Sequence, residues 1–287
     1  RRTFLQAIAA TGTAGIGSEA FTKKAEAGVL ENQEKYIDPK SVLLYECTSK
    51  EIRERITSGA LKLAIIPTGA TEQHNEHLAM IMDTAAALLV SQNAALAFFP
   101  KVIVTTPLPI GISQYWVKRH GTLTLRPETF IGYIRDICAS ILTHGISNVL
   151  IVNGHGGNAK PLSEAVSGIR NELDMNIEAV SYWQTMPRDQ TLSLMESGDF
   201  PGHASEFETA FALAAFPQRV RRVDFKGDDP MAWNPDPRNL EKIGWYRAEF
   251  DVPGYDKDHY SDSLLATREK GEKCIGIAVE GVKKRIE

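Results

Sequence analysis

Asn148-Val149-Leu150-Ile151-Val152-Asn153-Gly154-His155-Gly156-Gly157-Asn158 is the stretch that decides the fold. An apolar run from Asn148 to Val152 reads as a strand buried on both faces, the habit of a parallel sheet covered by helices. A glycine-rich turn follows, and Asn158 to Leu173 reads as a helix. Working outward, strand and helix keep alternating. Leu61–Pro67, Val102–Ile110 and Ile177–Trp183 read as strands. Thr48–Gly59, Asp83–Phe99, Pro127–His144 and His203–Phe216 read as helices, and Ser263–Ile286 as a long C-terminal one. Pro127 in a first turn and Gly145 just past an end follow the usual helix asymmetry. The pattern predicts an α/β fold with a mostly parallel central sheet sandwiched between helices. Residues 218–262, rich in Pro, Asp, Lys and Arg, read as an irregular insertion or subunit-contact segment.

The 287 residues suffice for one large domain, and 43% hydrophobic with 24% charged residues is ordinary for a globular chain. A net charge of −4 and a pI near 6.0 give no electrostatic footprint for nucleic acid. Cys47, Cys138 and Cys274 have no metal-type spacing and read as three buried small hydrophobes. At the N-terminus, Arg1-Arg2-Thr3-Phe4-Leu5-Gln6 precedes a mildly apolar stretch to Phe21 and then Ala25-Glu26-Ala27. That order predicts a twin-arginine export signal over residues 1–27, cleaved before Gly28, and a periplasmic or otherwise exported mature chain of residues 28–287. The apolar stretch is too short to anchor the protein, and no other segment is a transmembrane candidate, so no membrane partner is expected.

Three blocks carry metal-type side chains: Glu72-Gln73-His74 with Asp83, His155 inside the glycine turn, and His203 with Glu206 and Glu208. Each follows a predicted strand or opens a predicted helix, the edge where ligands bind in parallel sheets. Glu72 and His74, two apart in an extended segment, project to one side. Each block also has a plainer reading. Asp83 fits a helix N-cap, the glycine turn fits an anion loop, and acids in a first turn answer the helix dipole. The glycine spacing matches neither the dinucleotide nor the Walker pattern, and a histidine within the turn suits a metal better. On a helix Glu206 and Glu208 lie about 200° apart, so they cannot face one metal together. The dipole accounts for Glu206 without one.

With those residues in view the chain resembles the creatininase (creatinine amidohydrolase) family over about residues 40 to 285. The matching strings are Pro67-Thr68-Gly69-Ala70-Thr71-Glu72-Gln73-His74, Asp83-Thr84, Val152 to Asn158, and Gly202 to Thr209. Gly121-Thr122-Leu123, Leu125 to Phe130, and Ala266-Thr267 with Glu269-Lys270-Gly271 add to them. The resemblance implies a three-layer α/β sandwich, a two-metal site and hydrolysis of carbon–nitrogen bonds in small amides. Carried over by motif, Glu72 and His155 hold one metal, His74 the other, and Asp83 bridges them. Where creatininase proper has a glutamate two residues after the turn histidine, this chain has Gly157, as in a Gly-Gly-Asn branch, and Glu208 is the candidate replacement. His203 matches the substrate-side histidine, expected to move a proton at the leaving nitrogen.

Two divalent ions, zinc, manganese or iron, are therefore expected, with a bridging hydroxide attacking the carbonyl. Trp183, Trp116, His120 and Gly156 are the expected substrate contacts, although Trp183 also suits a core and Tyr115-Trp116 a subunit contact. A homo-oligomer, a hexamer by resemblance, acting on a small molecule completes the expectation. The chain departs from the family at Asn75-Glu76, at Leu78 to Met82 and at His120, which bears on the substrate. A sugar isomerase or lyase on the same scaffold, and a metal-free binding protein, are the rival readings.

Overall fold

The computed structural model describes residues 38–221, 238 and 262–287. The expected export signal and most of residues 218–262 lie outside them. Four parallel strands form one sheet among the described residues: β1 (Leu63–Thr68), β2 (Val102–Val104), β3 (Asn148–Asn153) and β4 (Asn176–Ser181), in the order β2-β1-β3-β4. Leu63 to Thr68 run in register with Asn148 to Asn153, which pair in turn with Asn176 to Ser181.

Alternate residues of each strand feed two cores. Val149 and Ile151 of β3 pack with Phe130, Ile134 and Leu162, which belong to α3 (Pro127–Thr143) and α4 (Gly156–Leu173). Leu150 and Val152 pack on the other side with Val90, Phe207, Phe211 and Ala278, from α2 (Met82–Leu96), α6 (Glu206–Ala215) and α7 (Arg268–Ile286). The period of two thus builds helix, sheet and helix layers, the predicted sandwich. On the α3–α4 side α1 (Ser49–Thr57) starts with a capping box in which Thr48 and Glu51 satisfy each other's backbone N–H. A short α5 (Arg188–Leu192) follows β4. Among the described residues no helix is long and apolar enough to cross a membrane.

Several boundaries differ from the expectation, each for a local reason. The second strand stops at Val104, not Ile110, because Pro107 and Pro109 have no N–H to give a ladder. The fourth ends at Ser181, and Tyr182–Thr185 turn into a 3₁₀ helix. The helix expected to open at His203 opens at Glu206, since Gly202 and Ala204 take φ of 69° and 48°. The C-terminal helix starts at Arg268 behind Thr267, whose side chain accepts the Lys270 N–H. Cys138 and Cys274 are buried, but Cys47 is only half-buried.

Candidate metal centre

The carboxyl ends of β1 and β3, the first turn of α2 and the first turn of α6 converge on one point. The segment after β1 brings Glu72 and His74, the turn after β3 brings His155, α2 brings Asp83 and α6 brings Glu208. All five are buried. His74 Nε2 lies 2.9 Å from Asp83 Oδ1 and 3.7 Å from Glu208 Oε2. His155 Nδ1 lies 2.9 Å from Asp83 Oδ2 and 3.3 Å from Glu72 Oε1. Two groups of donors result, Glu72–Asp83–His155 and His74–Asp83–Glu208, and Asp83 belongs to both, one oxygen to each. Distance alone also groups His203 with Glu72 and His74.

The backs of the two histidines show what the fronts require. His155 Nε2 is 3.0 Å from the Ile112 carbonyl, and His74 Nδ1 is 3.2 Å from the Glu72 carbonyl. A carbonyl accepts, so each ring carries one N–H behind, and its front nitrogen faces carboxylates that only accept; without a second proton there, it turns a lone pair to them. Lone pair against carboxylate is repulsive unless a cation stands between them. This is the arrangement of a metal-ligating imidazole, whose far N–H is fixed by the backbone. Glu72 Oε2 and Asp83 Oδ2 are buried without a hydrogen-bond partner, the 2.9 Å approach of His155 to Asp83 being misaligned for one. Three carboxylates buried together are costly unless a cation compensates them. The donor set, mixed nitrogen and oxygen, fits a divalent ion of the zinc or manganese kind.

Without such an ion, protons fill the role. Burial works against a charged His74, yet Asp83, Glu208 and Glu72 outweigh it and lift the ring to about 10. Burial resists a charged His155 too, and Glu72 and Asp83 raise it well above the usual imidazole value. Burial pushes Glu208 up to about 8 against the pull of His74. Burial would raise Asp83, but His74 and His155 hold it below the usual carboxylate range. His203 goes the other way: burial first, then the charge of His74, hold it well below the ordinary value.

Glycines make the convergence possible. A Cβ on Gly154 would stand 2.2 Å from the Asp83 carbonyl oxygen, and one on Gly157 would stand 2.1 Å from the Ile112 oxygen and 2.6 Å from His155 Nε2. The turn can therefore press His155 onto α2 and onto its carbonyl partner only with glycine at both places. The same contact leaves no room for a longer side chain at position 157.

A cavity of ≈ 290 Å³ opens over these groups, lined by Glu72, Asp83, Tyr115, Trp116, Gly154 to Gly157, Trp183, Pro201 to His203 and Glu208. Trp116 stacks on His203 with centroids 4.6 Å apart and planes 18° apart. Trp183 lines the cavity and also packs against a core. Gly156 opens α4 on the wall. His120 does not belong with them: it is exposed and absent from the lining.

Glu206 lies in the first turn of α6, as the helix-dipole reading expects, and has fixed partners besides. It is buried, accepts the Ser197 N–H at 2.8 Å and pairs with Lys270 of α7. Residues not singled out from the sequence also build the site. Gln73 Nε2 is 2.9 Å from His203 Nε2. Asn158 accepts the Ile112 N–H and donates to the Gly69 carbonyl, and Asn153 ties His155 N, Thr68 and Ser181 together. Both asparagines lay inside the quoted turn, and their type, buried at a strand-to-helix corner, was the available signal.

The chain is similar to known proteins of one family. A creatinine amidohydrolase from Pseudomonas putida is 28% identical over 258 residues, 85% of this chain and 95% of that protein. A 3-dehydro-scyllo-inosose hydrolase from Thermotoga maritima is 24% identical over 265 residues, 86% of this chain and 83% of that protein. Among solved structures, a mutant creatininase of Zn-Zn type superposes with a TM-score of 0.67 at 27% identity, covering 86% of this chain and 97% of that one. The family described as Creatininase, creatinine amidohydrolase, matches residues 45–286, and the chain belongs to the creatininase family.

Proposed function

We propose that the protein is a metal-dependent hydrolase that opens a carbon–nitrogen bond, other than a peptide bond, in a small amide or lactam. The observation that carries the reading is Asp83, which offers one oxygen to the His74–Glu208 group and the other to the His155–Glu72 group. Glu72, His155 and Asp83 would hold one divalent ion, and His74, Glu208 and Asp83 a second. When bound, such a pair supplies a water of lowered pKa and polarises a carbonyl. The chain supplies the rest. Trp116 and Trp183 flank the entering molecule and limit its size to a pocket of ≈ 290 Å³. The positive end of α4 opens at Gly156 on the pocket wall and would favour negative charge developing on a carbonyl oxygen there. His203 forms the hydrogen bond on the substrate side.

A second reading, hydrolysis of an inosose-type polyhydroxy ketone, is favoured by the Thermotoga relative. A panel of small amides, lactams and inososes given to zinc-loaded protein separates the two. Amine or ammonia release is expected. Turnover of the ketones with no amide cleaved would put the second reading first. Asp83→Ala should lose both equivalents of metal, and retention of two would remove Asp83 from its shared position.

A further inference from the structure

His203 stands close enough to Glu72 and His74 to join them around an ion, since its Nδ1 is 3.5 Å from Glu72 Oε1. Its hydrogen bonds point against that. Gln73 is buried and held at three places. Its backbone N–H goes to Thr122 Oγ1 at 3.1 Å, its Oε1 accepts the Asn75 N–H at 3.0 Å, and its Nε2 lies 2.9 Å from His203 Nε2. A backbone N–H only donates, so the amide atom facing Asn75 is the oxygen and the one facing His203 is the NH₂. An NH₂ group only donates as well. His203 Nε2 therefore accepts, and the neutral ring carries its proton on Nδ1, the nitrogen turned toward the carboxylates.

Asn75 takes a φ of 54°, a left-handed conformation that asparagine tolerates better than most residues, and this turn presents its N–H to Gln73. The ring itself is held between Trp116, at 4.6 Å, and His74, at 4.5 Å and 40°. The contrast with the other two rings is direct. His74 and His155 have backbone carbonyls behind them, whereas His203 has the Gln73 NH₂ behind it and an N–H in front.

We propose that Gln73 is a positioning residue that fixes His203 as the Nδ1–H tautomer, a hydrogen-bond donor toward the pocket and not a metal ligand. The proposal rests on the reading of His203 as the substrate-side histidine and narrows it: in the resting enzyme the ring offers a proton in a hydrogen bond, as a carbonyl or developing oxyanion needs, and has no lone pair on that side with which to act as a base.

Histidine-labelled, zinc-loaded full-length protein tests this by ¹⁵N NMR, with His203 assigned by the signal lost in His203→Asn. The expected result is a lone pair on Nε2 and a proton on Nδ1. Gln73→Glu keeps the shape and the acceptor for Asn75 but turns an acceptor to the ring, so a proton should appear on Nε2. An Nε2–H in the unmodified protein would overturn the proposal, and so would an Nε2 lone pair that persists in Gln73→Glu. Both readouts come from the ring and need no substrate, so they stand apart from whether amides are cleaved.

Discussion

Glu206 meets a cation that the chain itself supplies, the ammonium of Lys270, and it adds the Ser197 N–H. Glu208, two residues further along α6, meets His74, Asp83 and the Ala204 N–H, the last at 2.5 Å. Both carboxylates are out of solvent. Around Glu206 the charges balance within the protein, and the group stays below the usual carboxylate range because Lys270 and Ser197 overcome its burial. Around Glu208 burial wins, and the carboxyl rises to about 8. The same residue type on the same helix turn is thus structural where a lysine reaches it, and is left wanting a cation where one backbone N–H and a histidine shared with Asp83 are all that reach it. The difference marks the second site as built for something the chain does not contain.

The sharpest way to break this comparison is to neutralise Glu208. Glu208→Gln should lower the affinity for the ion beside His74 by more than about 10²-fold, beyond the range for a group that merely orients a ligand. Turnover should fall with it, while the thermal midpoint of the metal-free protein should hold or rise, because a group that burial keeps from ionising has been removed. Metal analysis after dialysis, with kcat on any amide substrate, measures this. Unchanged metal content would make Glu208 as structural as Glu206.

Next in size is Gly157→Glu, which places the carboxylate where creatininase proper carries one. The added Cβ would meet the Ile112 oxygen at 2.1 Å and His155 Nε2 at 2.6 Å. The His155–Ile112 hydrogen bond should break and the adjoining ion should bind at least about 10-fold more weakly, as for loss of other partners that orient a ligand. The double variant Gly157→Glu with Glu208→Gln should not regain metal. If it does, the turn can move aside, and the two positions exchange the same ligand.

A third test uses pH. In metal-free protein His74 is raised to about 10 and Glu208 to about 8. A raised histidine contributes stability that is full below its unfolded value and lost as pH climbs through its folded one. A raised carboxyl also holds more protons folded than unfolded, so it too loses stability as pH rises, up to about 8. The His74 slope runs downward from about pH 7 to 10, and Glu208 adds to it up to about pH 8. Chelator-treated protein should therefore melt progressively lower across that window. Zinc-loaded protein should not follow it, because protons and metal compete for the same lone pairs and metal gains as pH rises. A midpoint independent of pH in the metal-free protein would mean that the buried acids and imidazoles do not share protons.

Much of this was legible in the chain. The apolar run at Asn148 to Val152 spells a strand buried on both faces, and the helical angle between Glu206 and Glu208 turns the two side chains to different surroundings. What escaped has physical causes. Lys270 lies 64 residues from Glu206, and no local pattern joins them. An imidazole before a helix looked like its first residue, whereas Gly202 and Ala204 in left-handed conformations hold His203 in a turn. Reading Glu72 and His74 as one face of an extended segment gave no role to Gln73 between them. In fact all three side chains are buried, and Gln73 reaches round to His203. Hydrogen-bond direction, which separates that ring from the two that turn lone pairs to the centre, is visible only once the partners are in place.

The smallest expected effect belongs to Glu206→Gln, and it completes the comparison from the other side. The substitution removes a charge-assisted bond and leaves Lys270 with Glu196, at 2.6 Å, and the Leu265 carbonyl, at 3.0 Å. Lys270 keeps some contact with water, its side chain being 16% exposed. The loss should therefore fall below the 3–5 kcal/mol of a stranded buried charge, at about 2 kcal/mol, and lower the thermal midpoint by about 5 °C. It should be nearly constant from about pH 6 to 9. Glu206 is lowered, so its contribution is lost only as pH falls below the ordinary carboxylate range, and Lys270 is raised, so it stays charged throughout. Metal content should match the unmodified protein, since no atom of Glu206 belongs to either donor group. Calorimetry of the zinc-loaded variant, with metal analysis on the same sample, decides it. Loss of metal in Glu206→Gln with full retention in Glu208→Gln would exchange the parts assigned to the two glutamates.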